Sequence, residues 1–179
     1  MSLREITKEL HADAERTIFA KKLVTGSFTK EEYANYLWQM VLVYNGIETA
    51  CNSQGILKNL PDIERAHKIY QDCVELVGPY HNLKWLPETL DYYKYILNLN
   101  YSDKKHLIKA HLYCRHMGDL FGGQIIAKKV PGTGRFYQFK DSENLKTAIR
   151  AELTDDLGDE AKVAFEWAIK IMKALVTDE

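Results

Sequence analysis

Apolar residues recur at intervals of three and four along nearly the whole chain, and no segment of useful length alternates apolar with polar residues. The first spacing lines up side chains on one face of a helix; the second is what a half-buried strand requires. Leu3, Ile6, Leu10, Ala14 and Ile18 form the first such stripe. Thr29, with Glu32 three residues on, reads as a capping box opening a second helix through Tyr33, Tyr36, Leu37, Met40 and Tyr44. The four prolines punctuate this pattern. Pro61 suits the first turn of a helix over 61–77 that Gly78-Pro79 ends, and Pro87 opens another over 87–99. Asp103 is placed to cap a helix over 103–129, Pro131-Gly132-Thr133-Gly134 is a loop, and helices over 142–153 and 159–176 follow. Tyr137-Gln138-Phe139 could run extended, but no partner strand lies nearby. Without a repeat, a low-complexity tract or a linker, the expectation is one all-α domain over 1–179, a bundle of six to eight helices.

Charge and cysteine content narrow the function. The formal net charge of -1 provides no global basic field for nucleic acid or an anionic membrane. No apolar run reaches the roughly 18 residues of a membrane span. The opening MSLREITKELHADAE lacks the apolar core of a secretory signal, and ALVTDE offers no tail anchor, so a soluble cytoplasmic protein is expected. Cys51, Cys73 and Cys114 are far apart, with no C-x-x-C pair. They suit a reducing compartment, as small inert core residues.

Two constellations stand out. Arg4, Lys8, His11 and Glu15 share one edge of the first helix at helical spacing. A neutral imidazole is a good ligand for iron, a carboxylate one turn away can orient it, and two cations beside it can meet carboxylates. The same four residues would also make an ordinary solvated edge. In the second constellation, Gly118, Gly122 and Gly123 interrupt the helical run Arg115-His116-Met117-Gly118-Asp119-Leu120-Phe121-Gly122-Gly123-Gln124. Each glycine costs a helix about 1 kcal/mol against alanine. Either a flat ligand or a second helix approaching closely would account for that cost. Asp119 sits among these glycines.

The stretch GDLFGGQ resembles the GDLSGGQ motif of the haem oxygenase family, and the likeness runs from LREITKELHADAE to EAKVAFEWAIKIMKAL. The resemblance implies a haem oxygenase-like bundle with haem b, both cofactor and substrate, between the N-terminal and glycine-rich helices. His11 would be the proximal iron ligand and Glu15 its partner. Arg4, Lys8, Lys146 and Arg150 would lie near the propionates, and Tyr44 and Phe165 would line the pocket. Asp119 would deliver a proton through water, and Tyr113 and Arg115 would belong to the distal pocket. The product would be biliverdin with CO and ferrous iron. Electrons would come from ferredoxin or a flavoprotein reductase, and the protein would be a monomer. Phe121 departs from the motif's serine; it either packs into the core or narrows the pocket. His116 stands where the family often has an aromatic residue. His67, His81, His106, His111 and His116 read as surface or ordinary core histidines.

Three rivals remain open at this point. A ferritin-like di-iron enzyme needs two Glu-x-x-His motifs, and only Glu64-Arg65-Ala66-His67 is present. A haem carrier or sensor would need His11 but not Asp119. A thiaminase-like fold would need a reactive cysteine.

Overall fold

The computed structural model describes residues 1–176, and among these every regular element is helical. The expected first helix is three: α1 (Leu3–Ile6), α2 (Lys8–Arg16) and α3 (Ile18–Thr25). Two threonines divide it. The Thr7 hydroxyl donates to Leu3 O at 2.7 Å. Thr17 donates to Ala14 O at 2.8 Å and accepts from the Ala20 amide, so it ends one helix and caps the next. Such local hydroxyl bonds compete with the helical ladder, a competition that apolar periodicity does not report.

At the centre is α4 (Lys30–Ser53). Its capping box forms as read: the Glu32 amide donates to Thr29 Oγ1 at 3.0 Å and the Thr29 amide to Glu32 Oε2 at 2.8 Å. Tyr33, Leu37, Met40, Tyr44 and Ile47 are fully buried along it. Around α4 pack α5 (Ala66–Val77), α6 (Pro87–Asn100) and α7 (Ile108–Leu112). Pro61 does not open α5, contrary to the sequence reading; it precedes a turn at Asp62, which has φ 66°. What starts α5 is a side chain from α4. Glu48 accepts the amides of Arg65 at 2.5 Å and Ala66 at 3.1 Å, satisfying N–H groups that a helix start leaves bare.

The expected helix over 103–129 is also subdivided. After α7 come a π-helical turn (Tyr113–Met117), α8 (Gly118–Leu120) and α9 (Gly123–Ile126). Asp103 makes no cap; the segment enters through a 3₁₀ turn at Lys105–Leu107. The 137–139 stretch forms no strand: Tyr137 closes a 3₁₀ turn (Arg135–Tyr137) that sets Phe136 edge-on to Tyr44, and only Gln138 after it is extended. Then α10 (Ser142–Glu152) and α11 (Gly158–Ala174) complete the bundle, and α11 packs against α2 as well as α7. The final ALVTDE lies partly outside the described residues. No described helix is long and apolar enough to cross a membrane.

Asp72 fixes the 3₁₀ turn beneath the site. It is 3% exposed and accepts the amides of Arg135 and Phe136 at 3.0 and 2.8 Å. Asp72→Ala leaves two donors without their acceptor and is expected to cost about 2–4 kcal/mol in urea unfolding. A loss below about 0.5 kcal/mol would show that the turn holds without it.

Candidate functional site

The π turn inserts one residue into the helix after α7 and so rotates the residues C-terminal to it. As a result Arg115, His116, Met117 and Asp119 are all buried, although they span more than one helical face. Asp119 accepts a 2.6 Å bond from the Tyr44 hydroxyl of α4. Gln124 braces the same turn, donating to Asp119 O and Tyr137 O, both at 3.0 Å. Burial disfavours the carboxylate and outweighs the bond from Tyr44 and the nearby His116, Arg115 and Arg65 charges, so the Asp119 pKa is pushed up to about 7.

Arg115 lies behind Asp119, 7% exposed, with Nη1 3.8 Å from Met40 Sδ. Its Nε and Nη2 are buried without a protein partner. Buried guanidinium donors of this kind require polar company, which solvent or a ligand can supply. His116 gives Nε2 to Glu48 at 2.9 Å. His111 bridges the Tyr92 hydroxyl at 2.6 Å and Glu160 at 2.8 Å. Tyr113 does not join Asp119. Its half-buried phenol lies against the Thr7 hydroxyl near Arg4, toward the N-terminal helices.

The glycines have different reasons. Gly118 has ordinary helical angles, φ -58° and ψ -41°, so its identity is not a matter of backbone strain. A Cβ built there meets nothing within 4 Å, and both Gly118 and Gly122 are exposed. These two form a bare strip of backbone on the outer side of the helix. Gly123 is turned inward: its Cβ would fall 2.8 Å from the Tyr137 ring. That glycine serves packing, not the open strip. Phe121 separates α8 from α9, and the core alternative for it is wrong. It is 49% exposed, with Lys146 Nζ 4.3 Å and the Arg150 guanidinium 5.8 Å from its ring centre. Lys146 also pairs with Glu143 at 2.6 Å.

His11 lies on α2 with Nδ1 3.5 Å from Glu15, which leaves Nε2 as the ring nitrogen away from that carboxylate. Its side chain is 56% exposed, while the buried Phe165 ring of α11 holds it edge-on at 5.6 Å. Arg4, on α1, and Lys8, on α2, are exposed. The two halves meet on α11, which carries α2 and also packs against the π turn. The structure thus brings Asp119 and Tyr44 together near Arg115, and sets His11 against Glu15 and Phe165.

Sequence reasoning missed Glu48 and Arg65, and of the surface and core alternatives it left for His111 and His116 the structure decides for the core. A carboxylate inside the apolar run of α4 was the available signal for Glu48. The ferritin-like motif loses its footing, since Glu64 and His67 are exposed and no described cluster of His, Cys, Asp or Glu could hold a metal ion. A reactive thiol is equally disfavoured: burial pushes Cys51 and Cys114 up to about 12 and Cys73 up to about 11.

The family model described as Heme oxygenase matches residues 1–174. Heme oxygenase 2 of Macaca fascicularis is 27% identical over 97% of this chain, and the match spans 64% of that protein's length. Heme oxygenase of Rhodella violacea is 28% identical over 98% of this chain and 86% of its own. The solved heme oxygenase-1 from the cyanobacterium Synechocystis in complex with heme superposes with a TM-score of 0.85 at 26% identity, covering 97% of this chain and 90% of that one. The heme oxygenase from Leptospira interrogans gives 0.84 at 27% identity, covering 97% and 100%.

Asp119 has a measurable consequence for stability. In the unfolded chain its carboxyl ionises near 3.8, whereas in the fold it keeps its proton to about 7. Stability is therefore drained by this group as pH rises through that window. Asp119→Asn is expected to gain about 1–3 kcal/mol over the parent protein on going from about pH 5 to about pH 8, measured by urea unfolding. A parent–variant difference that is equal at both pH values would refute the raised pKa.

Proposed function

This chain belongs to the haem oxygenase family, and from that membership we propose that it cleaves haem b with O₂ and external electrons to biliverdin, CO and ferrous iron. The observation that carries the reading is Asp119: a buried carboxyl held by Tyr44, next to a glycine strip with open space before it. A planar macrocycle fits a helix surface without Cβ atoms, and the orphaned Arg115 donors supply polar capacity behind it. When bound, haem supplies the iron that takes up and activates O₂ and is itself the molecule oxidised.

The protein's residues position and protonate. Nε2 of His11 is the iron ligand in this reading, with Glu15 orienting the ring from Nδ1 and Phe165 fixing its plane. Arg4 and Lys8 on one edge and Lys146 and Arg150 on the other would pair with the propionates. Tyr113, placed near Arg4, belongs with this anchoring group rather than with Asp119. Gly118 and Gly122 admit the ring close to the backbone; Gly123 contributes by letting Tyr137 pack behind them.

Asp119 holds a proton near neutral pH, and Tyr44 occupies its Oδ2, so Oδ1 is the oxygen that can pass it to a water over the ring. Arg115 would steady that water. No nucleophilic side chain is required. Ferredoxin or a flavoprotein reductase would supply electrons to a monomeric, cytoplasmic, single-domain protein.

Hemin titration followed by a ferredoxin system or ascorbate in air tests the reading. A Soret band that forms and decays into the broad red absorption of biliverdin is expected. A persistent Soret band would instead indicate a carrier, and none at all would overturn the haem reading. His11→Ala should lose the imidazole-ligated spectrum and regain it with added imidazole; an unchanged spectrum would sink the ligand assignment. Asp119→Ala should still bind hemin but form biliverdin roughly 10²-fold more slowly. Biliverdin at the parent rate would remove Asp119 from the mechanism.

A further inference from the structure

Tyr92 of α6 is completely buried, and its hydroxyl lies 2.6 Å from His111 Nδ1 on α7. The other nitrogen of that ring, Nε2, is 2.8 Å from Glu160 Oε1 of α11. The same carboxylate oxygen accepts the Tyr95 hydroxyl at 2.6 Å. Glu160 is an acceptor here, so Nε2 carries the hydrogen of the imidazole. Burial lowers the His111 pKa and keeps the ring neutral, which leaves a lone pair on Nδ1 and makes Tyr92 the donor. Three helices meet to build this line, and neither the propionate anchors nor the Asp119 proton path uses it.

A phenol, a neutral imidazole aimed at its proton and a carboxylate behind the imidazole together suit one-electron oxidation of a buried tyrosine. Loss of an electron makes a phenol strongly acidic, and a buried ring holds a positive charge poorly. The proton must leave with the electron, and burial, by raising the Tyr92 pKa, prevents it from leaving beforehand. His111 is the base within reach, and Glu160 stabilises the imidazolium that results. Tyr92 also links the site to the outside. The Arg115 guanidinium, which lies behind Asp119, is 5.9 Å from the Tyr92 ring centre. The half-buried Trp167 ring of α11 stacks on Tyr92 at 5.3 Å with an interplanar angle of 13°. Lys170 Nζ, 4.5 Å from the Trp167 ring centre, opposes a positive charge on that indole, so an oxidised centre rests on Tyr92.

We propose that Tyr92 is a redox-active tyrosine, oxidised with its proton passing to His111, that drains from the haem site oxidising equivalents not spent on the ring. The oxidant is a haem iron oxidised by peroxide. When the Tyr92 O–H bond breaks, one of its two electrons reduces the iron and the other stays unpaired on oxygen. The proton joins the Nδ1 lone pair, and a neutral phenoxyl radical stands beside an imidazolium held by Glu160. A one-electron reductant of the ascorbate class, acting through Trp167, returns the electron, and Nδ1 returns the proton. The draining role rests on the function proposed above, whereas the redox-active pair belongs to the protein without haem.

The test is photo-oxidation of haem-free protein carrying ¹⁵N-labelled histidine, with ruthenium tris-bipyridine and persulfate, followed by freezing and EPR with ENDOR. A tyrosyl radical coupled to a histidine nitrogen is expected. That coupling marks Tyr92, since the Tyr44 and Tyr95 hydroxyls are bonded to carboxylates. Tyr92→Phe should lose it, keeping only background from exposed tyrosines such as Tyr80 and Tyr101. His111→Gln retains an acceptor for the hydroxyl but no base for its proton, so its spectrum should match that of Tyr92→Phe. A folded His111→Gln with a tyrosyl radical that Tyr92→Phe lacks would overturn the proton transfer. A parent radical without the nitrogen coupling would overturn the site even where neither variant folds. Peroxide added to the hemin-loaded protein should generate the same coupled radical, and its absence there would overturn the draining role. Failure to bind hemin would overturn the haem reading and leave the haem-free measurement to decide on Tyr92.

Discussion

Glu48 is a carboxylate set into the packed side of the central helix, and such a group is tolerated only where hydrogen bonds replace the water it gave up. Its three N–H donors come from two places far apart in sequence: the start of α5 and the ring of His116. Satisfying this one side chain therefore fixes how α5 begins and where the distal helix lies against α4. The same helix offers Tyr44 one turn earlier, so the bond that holds Asp119 belongs to the same seam. Removing either partner would leave a buried polar group bare, which is why this seam specifies one arrangement.

The distal helix shows how the fold makes room for chemistry. A π turn rotates Arg115, His116 and Asp119 into the interior while leaving Gly118 and Gly122 at the surface. Buried titratable groups and bare backbone thus occupy opposite sides of one short helix. Phe121 extends this bare strip with an exposed ring under Lys146 and Arg150. The departure from serine is accommodated outside the core, at the edge where the cationic pair stands.

Much of the site was legible because its signals are local. A histidine with a carboxylate four residues on, and three glycines in a helical run, mark themselves without knowledge of the fold. Tyr113 was read as a distal-pocket residue, and only the tertiary structure sets its phenol against Thr7 near Arg4. Gly123 was grouped with the other glycines, and only the approach of the Tyr137 ring, which no local spacing signals, separates it from them. His116 looked ordinary because its partner is 68 positions away.

By itself the sequence determined the helical class, the Thr29–Glu32 cap, the start of α6 at Pro87 and the two candidate edges, all of which come from spacings within a turn or two. Only the tertiary structure decided that the first helix is broken at Thr7 and Thr17, that Pro61 precedes a turn instead of a helix, and that Phe121 faces solvent. It alone joined Tyr44 to Asp119 across 75 residues and Glu48 to His116 across 68. The physical reason is the range of the forces involved. Apolar periodicity and capping act within a few residues, whereas the desolvation of a buried charge is relieved by whatever partner the whole fold brings to it.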